Sequence, residues 1–176
     1  RAIDPGRAIL QTPQTMSEGK QIMTGIACVL DAKAELGEGP LWDAAEQRLY
    51  WVNIKQWEVH RFDPLTGRDE SWQAPEAVGS LALRESGGLV VALRSGFHFF
   101  DPASGRWQPI ADPEAHLPEN RFNDGKPDRQ GRFWAGTMHD AEKAPTGGLY
   151  RLDTDLTCKR LVEGIICSNS LCWSPD

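Results

Sequence analysis

The sequence predicts an all-β chain that forms about three blades of an incomplete β-propeller. Three observations carry that prediction: a repeat of ~40 to 45 residues, apolar residues spaced for strands, and the same turn chemistry at matching places in each copy. The copies are residues 39–67 (GPLWDAAEQRLYWVNIKQWEVHRFDPLTG), 79–105 (GSLALRESGGLVVALRSGFHFFDPASG) and 125–153 (GKPDRQGRFWAGTMHDAEKAPTGGLYRLD). Leu41, Leu81, Lys126 and Leu171 hold equivalent positions at steps of 40, 45 and 45 residues, the last of them opening a fourth copy, NSLCWSPD.

Each copy reads as a short strand, a polar turn, a second strand and a third strand closing on Asp. The turns are AAEQ, RESGG and DRQG, and the second strands are RLYWVNI, GLVVAL and RFWAGTM. Third strands end in RFD, FFD and YRLD, and DPLTG, DPASG and DTDLT then lead into a fourth strand. In the first two of these turns Pro fixes φ, the Asp side chain bonds the backbone ahead, and Gly accepts positive φ. No segment outside the N-terminus carries the 3.6-residue period of a three-turn helix.

Residues 1–23 are expected to be an extension, disordered or upstream sequence, because the stretch is rich in Pro, Gln and Thr and Met16 and Met23 both precede the first strand-like pattern. The propeller domain is then 24–176, truncated at its C-terminus. Its first pattern, GIACVLDA, reads as the strand that would normally close the ring by joining the last blade, and in this chain it is expected to lack that partner.

Of the 176 residues, 40% are apolar and 25% charged, the ordinary globular range, and the formal charge is −6 with a pI near 5.2. Scattered cations on an acidic chain disfavour a nucleic-acid partner and leave a small neutral or anionic metabolite open. No apolar run approaches the ~20 residues that span a bilayer, and no signal-peptide apolar region precedes the repeats. A cytoplasmic protein without membrane or obligate protein partner is expected. Cys28, Cys158, Cys167 and Cys172 form no C-x-x-C pair and are expected to be reduced and mostly buried. The seven tryptophans are expected mainly in the wedges between blades.

Comparing copies isolates what a blade does not need. Where the second copy opens on Gly79-Ser80, the first has Glu38 in GEGP, the third has Arg121, Asn123 and Asp124 in RFNDG, and the fourth has Asn169 in CSNS. First strands of propeller blades line the central channel, so these positions converge at one end of it. Carboxylate and carboxamide oxygens meeting there suit one divalent cation, Ca²⁺, Mg²⁺, Zn²⁺ or Mn²⁺. Asn and Asp also form turns by bonding their own backbone, so composition leaves both roles open for Asn123, Asp124 and Asn169. His60 and His98, at matching third-strand positions, are expected on exposed strand faces; His116 falls in a loop, and His139 follows a strand that can face the channel. All four are read as structural, since no H-E-x-x-H spacing, G-x-S-x-G elbow or phosphate loop is present.

The combination GEGPLWD, NRFNDGKPDRQGRFWAGTM, GGLYRLD and SNSLCWSPD resembles the SMP-30/gluconolactonase/LRE-like family, from about Cys28 to Asp176. That resemblance implies a six-bladed propeller, of which this chain is the N-terminal half, with one divalent metal in the channel and hydrolysis of a sugar lactone to the aldonic acid. Carried over residue by residue, it implies Glu38 and Asn169 as metal ligands and Arg121 and Asn123 as substrate-binding residues, Asn123 also lying near the metal. Asp124 is expected to hold its turn, paired with Lys126.

Three positions depart from the family pattern. Ser170 follows Asn169 where Gly is usual, which strains the backbone if φ there is positive. The acidic residue that contacts substrate in some members aligns with Ala141, between Asp140 and Glu142. The third metal ligand, an Asp that also acts as general base, aligns with nothing here and is expected in the missing half, so this chain alone is expected to be inactive. Two other readings compete. RLYWVN is similar to the YWTD repeats of extracellular receptor propellers, which are non-catalytic binding modules, and a half-propeller that pairs with a second copy of itself is the other.

Overall fold

A computed structural model describes residues 26–174. The expected extension, residues 1–23, lies outside them. Twelve strands form three four-stranded antiparallel sheets, and no helix occurs among the described residues. The first sheet runs in the order β1 (Gly37–Asp43), β2 (Arg48–Asn53), β3 (Glu58–Asp63), β4 (Arg68–Gln73). The second is β5 (Val78–Leu83), β6 (Leu89–Leu93), β7 (Gly96–Asp101), β8 (Arg106–Ala111), and the third is β9 (Asn120–Pro127), β10 (Phe133–His139), β11 (Gly147–Leu152), β12 (Cys158–Ile165). These are three propeller blades, each a meander from inner to outer strand.

The turns fall where the repeat puts them. AAEQ, RESGG and DRQG join first strands to second, and DPLTG and DPASG join third to fourth. Asp63 Oδ1 accepts the Leu65 N–H at 2.9 Å, Asp101 Oδ1 accepts the Ala103 N–H at 3.0 Å, and Gly67 and Gly105 take positive φ of 72° and 69°. Local chemistry alone fixes these corners.

Two apolar wedges hold the blades together. Tyr50, Val52 and Val59 of the first blade meet Val78, Leu81, Leu89, Val91, Leu93 and Phe100 of the second. Between the second and third, Phe97 meets Phe122 and Phe133 with ring centroids 4.8 and 5.8 Å apart, and Phe122 meets Tyr150 at 5.8 Å. Fully burying each such side chain is worth about 1.5–3 kcal/mol. The middle blade, covered on both faces, therefore carries a nearly continuous apolar run in β6, whereas β12 at the outer rim is almost wholly exposed.

Two expectations are corrected. Tryptophans do not fill the wedges: Trp72 and Trp107 pack at the margin of the first, while Trp42, Trp57 and Trp173 are exposed. An indole N–H needs a polar partner, and Trp51, Trp134 and Trp173 find theirs at the rim, in Asp69 (3.3 Å), Asp128 (2.8 Å) and the Pro127 carbonyl (3.0 Å). Cysteines are free but not mostly buried: Cys28, Cys167 and Cys172 are exposed, lying in segments outside the strands, and Cys158 is half-buried. Burial raises the Cys158 thiol to about 11. The described part of GIACVLDA, residues 26–32, forms no strand: Ile26 and Val29 are 88% and 72% exposed, and no strand among the described residues offers this segment a ladder.

Candidate functional site

The three first strands, β1, β5 and β9, pack side by side. Each breaks register with its neighbour at the same place: between Glu38 and Leu41 in β1, between Val78 and Ser80 in β5, and where Thr137 and Ala135 face Phe122 and Gly125 in β9. A bulge bends a strand and re-aims the side chains beside it. Glu38 and Asn123 stand at two of these bulges. The third needs glycine, because a Cβ on Gly79 would lie 2.5 Å from the carbonyl oxygens of both Phe122 and Asn123. Hence position 79 has no room for a side chain, because β9 lies directly against it, and the polar group of the second copy at this bulge is the buried Ser80 hydroxyl.

Arg121 is buried, its side chain 5% exposed, and its guanidinium reaches in two directions. Nη1 donates to the Asn123 side-chain oxygen at 2.8 Å and to the Phe122 carbonyl at 3.0 Å. Nε donates to Asp140 Oδ1 at 2.7 Å, and Arg94 Nη2 meets Asp140 Oδ2 at 2.6 Å. Lys55 Nζ stands 3.9 Å from Asp140 Oδ1. Burial pushes the Asp140 carboxyl up, but the Arg121 and Arg94 hydrogen bonds outweigh it and hold it below the usual carboxylate range.

Asn123 faces the other way as well. Its amide nitrogen donates to the Ser168 carbonyl at 2.8 Å, and Met138 bridges Cys167, so the segment bearing Asn169 is tied to β9 and β10. Asp124 Oδ2 accepts the Leu171 N–H at 3.0 Å and Oδ1 accepts the Gly125 N–H at 2.9 Å. Its oxygens thus bind backbone, where pairing with Lys126 was expected. Glu38, Asp124, Lys126, Asn169 and Ser170 line one cleft of about 470 Å³ between β1, β9 and the fourth-copy segment. The structure so brings Glu38 and Asn169 to one cleft, with Arg121 and Asn123 on the strand that walls it. Ser170 has φ of 58°, the left-handed conformation that its non-Gly side chain resists.

The donor chemistry of Glu38 and Asn169 fits a hard divalent cation: one carboxylate and one carboxamide oxygen, two of the ~6 to 8 oxygens Ca²⁺ takes. Asn169 Oδ1 also accepts the Ser170 N–H at 3.0 Å, leaving one lone pair toward the cleft. Among the described residues no group of three or more His, Cys, Asp and Glu is gathered closely enough to hold a metal.

Two features escaped sequence reasoning. Buried Glu114, in the connection before β9, accepts from Asn120 at 2.9 Å, Thr137 at 2.8 Å and the Tyr150 hydroxyl at 2.8 Å, fixing the start of β9 beside Arg121. Burial, then Glu114, raises the Tyr150 hydroxyl. His60 is likewise no exposed strand residue: it is buried, stacked on Trp51 at 3.8 Å and bonded to Asp69 at 2.6 Å. Asp69 of β4 stands opposite Phe62, one diagonal step from His60. His139 pairs with Glu119 at 2.9 Å.

Comparison with known proteins agrees with this architecture. The chain is 38% identical over 151 residues to a 6-deoxy-6-sulfogluconolactonase of Pseudomonas putida, covering 86% of this chain and 52% of that protein. It is 35% identical over 156 residues to regucalcin of Xenopus laevis, again 86% of this chain and 52% of the relative. Among solved structures, a calcium-binding regucalcin of Agrobacterium tumefaciens superposes with a TM-score of 0.76 at 33% identity, over 80% of this chain and 48% of that one. The chain spans about half the length of the relatives it matches. Residues 36–176 match the model of the SMP-30/gluconolactonase/LRE-like region, and the chain belongs to that family.

Proposed function

We propose that this chain contributes half of a metal-dependent sugar lactonase, which opens a cyclic sugar ester to the aldonic acid. The observation that carries the reading is the junction at β9, where the Asn123 amide joins the buried Arg121 guanidinium to the Ser168 carbonyl, in the segment that brings Asn169 to the cleft of Glu38. Relatives named as lactonases support it.

In lactone hydrolysis water adds to the carbonyl, the ring C–O bond breaks, and the released ring oxygen takes a proton. Glu38 and Asn169 would hold the cation, which supplies Lewis-acid polarisation of the carbonyl and lowers the pKa of bound water. Arg121, fixed through Nε by Asp140 and through Nη1 by Asn123 and the Phe122 carbonyl, would offer its Nη2 donors to a sugar hydroxyl or to the carboxylate being formed. Asn123 orients the sugar beside it. Asp140, kept ionised, accepts from hydroxyls. No residue of this chain takes the role of general base, so residues 24–176 by themselves are proposed to have little or no lactonase activity.

The test is proton release from D-glucono-1,5-lactone by the whole protein, before and after chelation and with Ca²⁺, Zn²⁺, Mg²⁺ or Mn²⁺ restored. Glu38→Ala and Asn169→Ala are each expected to lower activity at least about 100-fold. Full activity in chelator, or in both variants, would reject the assignment.

A further inference from the structure

Three cations from three successive blades converge on a single carboxylate at the channel mouth. Lys55 follows β2, Arg94 follows β6, Arg121 stands on β9, and Asp140 follows β10. Three positive charges against one negative leave this quartet at +2, on a chain whose formal charge is −6. The carboxylates of Glu119, Glu76 and Glu58 are bonded to other partners than this quartet. Glu119 pairs with His139 at 2.9 Å, Glu76 accepts the Ser95 N–H at 2.8 Å and the Ser95 hydroxyl, and Glu58 accepts from Asn53 at 3.0 Å.

The cations also differ in how far they are used. Arg121 gives Nε to Asp140 and Nη1 to Asn123 and the Phe122 carbonyl, and is almost wholly buried. Arg94 gives Nη2 to Asp140, while Nη1 makes only long contacts of 3.3 and 3.4 Å with the Pro118 and Asn120 carbonyls. At 3.9 Å, Lys55 is too far from Asp140 for a hydrogen bond, and its side chain is 45% exposed. Lys55 and Arg94 thus face solvent at the mouth with donors to spare, and Arg121 links them to the cleft of Glu38 and Asn169.

We propose that Lys55 and Arg94 form an anion subsite that receives a negatively charged substituent on the end of the sugar remote from the lactone carbonyl. This rests on the lactonase reading and names its substrate class: an aldonolactone bearing a phosphate, sulfonate or carboxylate. Such groups offer the anionic oxygens that an Arg fork and a Lys ammonium take up, and a neutral sugar tail leaves both cations unmatched. Asp140 accepts from Arg94 through one oxygen and from Arg121 through the other, and so keeps the two guanidinium groups apart and aimed.

The experiment compares kcat/KM of the whole protein on 6-phosphogluconolactone, a lactone with a terminal carboxylate, and D-glucono-1,5-lactone. The anionic lactones are expected to be preferred by about tenfold or more, chiefly through KM, and the two anions distinguish a tetrahedral from a planar group. Lys55→Gln should reduce that preference by about tenfold, and Lys55→Glu further. Equal kcat/KM for charged and neutral lactones, or a Lys55→Gln loss of the same size on both, overturns the subsite. If no lactone is hydrolysed, the lactonase reading fails; titration with 6-phosphogluconate against gluconate then decides the subsite separately, with Lys55→Gln expected to weaken only the former preference and equal affinities rejecting it.

Discussion

The two ends of the third blade each hold an aspartate below the normal carboxylate range, by opposite means. At the DRQG corner Asp128 accepts from the backbone of Gln130 and Arg132 at 2.9 and 3.0 Å, from Arg132 Nε at 2.6 Å and from Trp134 Nε1 at 2.8 Å. Burial works against ionisation, yet those bonds lower its pKa to about 2. Every donor comes from within six residues. At the channel mouth Asp140 is satisfied by Arg94 and Arg121, 46 and 19 positions away, with Lys55 nearby. One carboxylate builds a corner from its own neighbours; the other is a meeting point of blades.

Substitution should separate them. Asp128→Ala, which strands a half-buried indole N–H and a partly exposed guanidinium, is expected to cost about 1–3 kcal/mol of stability with kcat/KM nearly unchanged in the surviving folded protein. Asp140→Asn should lower lactone kcat/KM at least about tenfold in the folded protein, in addition to the stability lost when the buried Arg121 is left without its carboxylate. Thermal unfolding and steady-state kinetics on both variants check this, and matched losses in kcat/KM would erase the contrast. Gly79→Ala acts on both as well: forcing a Cβ against the Phe122 and Asn123 carbonyls should cost about 1–3 kcal/mol and displace β9, so stability and activity fall together.

Acid unfolding sharpens the contrast further. A carboxyl whose folded pKa is depressed stabilises the fold above its unfolded pKa of about 3.9 and loses that contribution as pH falls through the folded value. Asp128 therefore supports the fold at neutral pH, and its share fades between about pH 4 and about pH 2. Asp128→Asn should flatten that part of the stability curve in denaturant titrations at stepped pH. The smallest effect belongs to Ser170→Gly, which relieves a positive φ and should raise stability by about 0.5–1 kcal/mol.

The same contrast explains what was legible in the sequence. Blade number, strand order and the Asp-anchored corners follow from residues within one turn of one another, and period and turn chemistry record them. Convergence of Glu38, Arg121, Asn123 and Asn169 at one end followed only from aligning copies, which places first strands around a channel. What Asp140 does could not be read that way. Its partners come from Arg94 and Arg121, positions that no motif joins, and Lys55 approaches from a loop whose sequence, IKQW, is unexceptional. The Trp expectation failed for a related reason: hydrophobic size was weighed without asking where each indole N–H would find an acceptor.

The Lys55–Asp140 contact joins the first blade to the third across the second. Blade-to-blade wedges tolerate small rotations, because apolar surfaces slide, but a contact that skips a blade adds both rotations together. The gap between positions 55 and 140 is therefore the most sensitive internal measure of how tightly the blades curve. Spectroscopic labels at those two positions would act as a protractor, reporting whether occupying the channel flattens or tightens the arc.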